Sequence, residues 1–82
     1  MTRVIHRLVG YDRQTDRMKV QFDIPDELMF AAKKIAKVSV EDPGAAWSYP
    51  LTEARTRRVA SLIGVDVGPK DAEFFLEEFS VE

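Results

Sequence analysis

The apolar positions of this chain change their period twice. From Met18 to Ile24 they alternate strictly, with Met18, Val20, Phe22 and Ile24 on one side and Lys19, Gln21 and Asp23 on the other. Leu28, Ala31, Ala32, Ile35 and Ala36 then recur at helical spacing. Near the end, residues 73–81 (EFFLEEFSV) return to a strand-like run. A change from period two to 3.6 and back, within 82 residues, points to one small mixed domain spanning residues 1–82. A chain this short buries only roughly 60–65% of its unfolded surface, so each large apolar side chain matters.

Punctuation refines the pattern. Residues 3–11 (RVIHRLVGY) form a first β-branched and aromatic strand, and the polar Asp12–Arg17 stretch joins it to the second as a hairpin. Pro25 ends that strand and suits the start of a helix over 26–38, with Asp26 and Glu27 at its positive end. Residues 39–51 contain Pro43-Gly44 and Pro50 and read as a long loop carrying Trp47 and Tyr49. Two such large aromatics are costly to leave in water, so the loop is expected to fold over the core with Trp47 more than half buried. Thr52 is the expected N-cap of a second helix over 52–63, and Gly64 its C-cap. The economical assembly is a two-layer α+β domain of order β-β-α-α-β: a three-stranded antiparallel sheet with two helices on one face. The other face then needs cover from the Trp47 loop or from a second copy. The expected core is Val20, Phe22, Leu28, Ala32, Ile35, Val59, Leu62 and Ile63, with at least one of Phe74 and Phe75.

Composition narrows the chemistry. There is one histidine, His6, and there is no cysteine and no asparagine. Thiol chemistry is excluded, and His6 lies in no metal-binding or nucleophile-activating motif, so it reads as a partly exposed structural residue. The four glycines are scattered and form no phosphate-binding loop. Glu77 and Glu78 are neighbours in a strand and point to opposite faces, so they do not form an acid–base pair. No catalytic, cofactor-binding or metal-binding residue is assigned, and an enzyme is not the expected reading. No apolar run approaches the roughly 20 residues of a membrane span. A soluble cytoplasmic protein is expected.

Charge is divided unevenly. Residues 1–64 carry 11 basic against 8 acidic side chains, a net +3, while residues 65–82 carry one basic against 6 acidic, a net −5. The aromatic content of the acidic tail argues for an ordered element. Its glutamates are expected to pair internally, with Glu77 or Glu78 close to Arg3, Arg7 or Arg55. The surface positions that stand out lie elsewhere. Phe30, Lys33, Lys34 and Lys37 project opposite the apolar stripe of the first helix, as an aromatic anchor among cations. Arg57 and Arg58 point outward from the second helix, and Trp47 and Tyr49 mark the loop. These eight residues are the candidate interaction surface. The expected function is that of a non-catalytic accessory or protein-interaction domain, with an unidentified protein or a second copy of the chain as partner. A nucleic-acid-binding module using the basic helix faces is the first alternative; the acidic pI near 5.4 and the long inter-helix loop weigh against it. A small enzyme or ligand-binding domain built on a carboxylate cluster is the second.

Overall fold

A computed structural model describes residues 3–68 and 71–81. Strands β1 (Arg3–Asp12) and β2 (Met18–Ile24) form the hairpin that the alternation predicts. Its turn is fixed by Asp12, whose carboxylate accepts from the backbone N–H groups of Gln14 and Thr15. Pro25 precedes a single 3-10 turn, Asp26–Leu28, and helix α1 follows at Met29–Ala36. The predicted helix over 26–38 is therefore split and shorter. It ends at Lys37, which takes the left-handed conformation with φ 56°. Helix α2 (Glu53–Ile63) matches its expected bounds and both caps: Thr52 Oγ1 accepts from the Arg55 N–H, and Gly64 closes the helix at φ 74°. Strand β4 (Ala72–Val81) completes the C-terminal half.

The sheet departs from expectation. It has four antiparallel strands in the order β2-β1-β4-β3, not three. The additional strand, β3 (Tyr49–Leu51), comes from the segment that reads as loop, and it pairs with Phe74–Leu76. Pro50 in its centre removes a backbone donor, which is tolerable because β3 lies at the sheet edge. Three residues around a proline carry no periodic signal.

The central pair is β1 with β4, in continuous register from Arg3↔Val81 to Asp12↔Ala72. Alternation then sorts the side chains. Leu8, Gly10, Phe22, Ile24, Leu51, Phe74 and Leu76 share the face with the helical core, where Leu8, Ala32, Val59 and Leu76 are fully buried. The sequence-derived core is right for Ala32, Val59 and Phe74; Val20, Phe22, Leu28, Ile35, Leu62 and Ile63 are only partly buried around it. Its weight sits on the sheet, at Leu8 and Leu76, and on the small helical residues Ala36 and Ala60, which let the helices come close.

No helix covers the opposite face. There Tyr11 meets Phe75 edge to face at 5.6 Å, and the Arg7 guanidinium lies 5.0 Å over the Phe79 ring. These side chains supply their own cover, and Val9 beneath them is fully buried. The Trp47 loop does not perform this task. Trp47 is 53% exposed, so the expectation of a mostly buried indole fails. The side chains that anchor the loop inward are Ala45 and Tyr49.

Candidate functional site

The 39–48 segment is held by one buried carboxylate. Asp42 lies in the Asp-Pro-Gly turn and is almost fully buried. Its Oδ1 accepts from the Ala46 N–H at 2.9 Å, and its Oδ2 accepts from the Trp47 N–H at 2.9 Å and the Tyr49 hydroxyl at 2.7 Å. Burial pushes the Asp42 pKa up, but the hydrogen bonds from Tyr49, Trp47 and Ala46 outweigh it and hold the group below the usual carboxylate range. The same bond, together with burial, raises the Tyr49 hydroxyl, burial being the larger cause.

His6 fastens the loop from the sheet side. Its Nε2 lies 3.0 Å from the Gly44 carbonyl oxygen and 3.2 Å from that of Ala45. Carbonyls only accept, so Nε2 carries the proton. The Glu78 carboxylate stands 3.8 Å from the same nitrogen. His6 is thus structural, as its sequence context suggests, although it is buried rather than partly exposed.

The consequence is an aromatic platform fixed in place yet open to solvent. Trp47 and Tyr49 stack with ring centroids 6.4 Å apart and planes 26° from parallel. Lys33 of α1 donates to the Pro43 carbonyl oxygen at 2.7 Å, which ties the outer side of the helix to the loop. Phe30, one turn earlier, is 72% exposed, and the Lys34 ammonium sits 4.3 Å over its ring. Val40, just beyond the helix, is 94% exposed. Lys33 is therefore the α1 residue joined to the loop, while Phe30 and Lys34 pair with each other on the same helix and Lys37 lies at the helix end. Arg57 and Arg58 belong to the other helix. Arg57 turns to Glu53 at 3.4 Å and lines a cleft of about 70 Å³ with Arg13, Thr56, Val67 and Phe74; Arg58 is exposed.

The acidic tail takes partners other than those expected. Glu77 is the register neighbour of Arg7, but its carboxylate accepts from the Tyr11 hydroxyl at 2.6 Å and from the Ser48 hydroxyl at 2.7 Å. Arg7 donates to Asp23 instead, at 2.8 Å, and to Gln21 at 3.1 Å. Glu78 faces His6. The two glutamates do lie on opposite faces, as the strand requires. The hydrogen bond to Glu77 raises the Tyr11 hydroxyl to about 12, with burial and the carboxylate charge adding to it. An ion pair from the tail to the body joins Asp71 to Lys19, which holds the Asp71 carboxyl below its ordinary range while the Lys19 ammonium is raised in turn.

Comparison with known proteins bears on the whole of this arrangement. A family model described as "Domain of unknown function (DUF7683)" matches residues 5–77. The chain belongs to that family. The matched span contains the Asp42 anchor, the Trp47 platform and the α1 lysines, and it stops one residue short of Glu78. No curated protein and no solved structure matches the chain. Among the described residues, no group of three or more His, Asp or Glu side chains is placed to hold a metal ion, and no helix is long and apolar enough to cross a membrane.

Proposed function

We propose that this domain is a non-catalytic accessory module that binds a protein partner through the outer side of α1 and the adjoining 39–48 loop. The observation that carries the reading is the half-exposed Trp47, whose own backbone N–H, the Ala46 N–H and the Tyr49 hydroxyl all donate to the buried Asp42 carboxylate. A large indole kept in water and already fixed loses little freedom on binding, which is the property of an interface anchor. Phe30 and Val40 add exposed apolar surface, and Lys33, Lys34 and Lys37 frame it with positive charge. A partner presenting an apolar patch rimmed by carboxylates suits this surface.

The test is affinity capture from the protein's native cells, comparing wild type with Phe30→Ala and Trp47→Ala. Both side chains are exposed, so melting temperatures are expected to change little. The same captured protein should be lost with both variants and retained by Arg58→Ala on the other helix. Capture unaffected by either aromatic substitution refutes this surface.

A further inference from the structure

The two ends of the sheet are not equivalent. Edge strand β3 is three residues long with Pro50 at its centre, so it offers another strand little to pair with. Edge strand β2 is seven residues long, contains no proline, and exposes Met18, Lys19, Gln21 and Asp23. Its outward backbone groups have no strand beyond them among the described residues. An edge of this kind is a template for a further strand unless something discourages it.

Lys19 supplies the discouragement. It is the extra residue where the β1–β2 register shifts, between the pairs Gly10↔Val20 and Tyr11↔Met18. A lysine at an irregularity repels strands that bring no answering charge. The sequence of β2 contains the answer. If β2 pairs antiparallel with another β2 so that Gln21 faces Gln21, all seven residues overlap. Lys19 then stands opposite Asp23 of the other copy, twice. Both charges lie on the helix-free face, where Asp23 meets Arg7 and Lys19 meets Asp71. On the helix face, Val20 stands opposite Phe22 of the other copy, twice, so apolar meets apolar.

We infer that β2 is a self-recognition edge, and that two copies of this chain join through it into one continuous eight-stranded sheet. The inference rests on reading the domain as an interaction module, and it uses a surface separate from the Trp47 platform. A two-fold axis through Gln21 makes the contact closed, so association stops at the dimer.

Sedimentation velocity from about 1 μM to about 1 mM tests it, a span that covers tight to weak association. Wild type should shift from monomer to dimer within this range. Lys19→Asp or Asp23→Lys alone places like charges together at two points and should weaken the dimer about tenfold or more. The double reversal restores opposite charges across the axis and should recover most of the loss, although both internal ion pairs stay broken. Asp71→Ser breaks the internal Lys19 pair without touching the edge and should leave the dimer intact. Gln21→Glu serves if the reversals fold poorly: it improves the internal contact with Arg7 yet sets two carboxylates face to face at the axis, so dimerisation should fall while the monomer stays folded. A wild-type protein that remains monomeric throughout, or a dimer indifferent to these substitutions, overturns the inference. Neither result touches the Trp47 surface, whose own test is capture by the Phe30 and Trp47 variants.

Discussion

Gly10→Ala is the sharpest probe of how the sheet meets the helices. Gly10 is not among the positive-φ residues, so the backbone accepts alanine, and any cost comes from contact. A Cβ at this position would sit 2.8 Å from Phe74 Cε1, 2.9 Å from Cζ and 3.0 Å from Val20 Cγ2. The first two atoms belong to a buried ring on the neighbouring strand, held in register opposite Gly10, so it has little room to withdraw. Overpacking of this kind costs about 1–3 kcal/mol. Restriction of the unfolded chain offsets about 0.4–1 kcal/mol of that. A net loss of about 1–2 kcal/mol lowers the melting temperature of a domain this size by about 5–15 °C. Phe74→Leu trims the ring and alone costs about 1–2 kcal/mol through the space it leaves. The two together should cost less than their sum by about 0.5–1.5 kcal/mol, because each relieves the fault of the other. Urea melts of the four proteins in a double-mutant cycle measure this coupling. A Gly10→Ala variant as stable as wild type, or strictly additive costs, refutes the close approach of Phe74 to β1.

Leu76→Ala removes a fully buried side chain and should cost about 2–5 kcal/mol, whereas Ile35→Ala, at a half-buried position, should cost clearly less; urea midpoints rank them. Asp42→Ala frees the backbone of Ala46 and Trp47 and the hydroxyl of Tyr49, so the fluorescence anisotropy of Trp47 should fall towards that of a mobile loop, while its emission should shift little because the indole is already half in water. Tyr11 is raised above its ordinary value in the folded state, so its contribution to stability is present in full below pH 10 and is lost as pH climbs towards about 12. Alkaline melts should show that loss in wild type, and Tyr11→Phe should flatten it.

The strands and helices with strong local signals were legible in the sequence. Met18–Ile24 alternates without exception, and Thr52 and Gly64 bracket α2 with the residues that caps demand. Strand β3 was not legible, because Tyr49-Pro50-Leu51 becomes a strand only when β4 lies beside it. The core was displaced for a related reason. Residues on both faces of β1 and β4 are apolar, and nothing local says that Leu8 and Leu76, rather than Val9 or Phe79, meet the helices. Trp47 was misjudged by a general rule about aromatic burial; its position is set by Asp42, one of 14 acidic residues in the chain. The signal that marks Asp42 is its place in Asp-Pro-Gly ahead of free N–H groups, a pattern in which a carboxylate turns back on the following backbone.

The register of β1 against β4 has a consequence for how the molecule assembles. It joins residues from 60 apart (Asp12 to Ala72) to 78 apart (Arg3 to Val81) along the chain. Before that long loop closes, the local structure on offer is the first hairpin and two helices of 8 and 11 residues, below the length at which isolated helices persist in water. Loop-closure entropy must therefore be met in a single late step, with few partial gains along the way. Folding should be slow for the chain length, in the millisecond-to-second range of domains dominated by distant contacts. Until β4 is available Leu8 lacks its partner Leu76, so the central hydrophobic strand stays unsatisfied through the early part of folding.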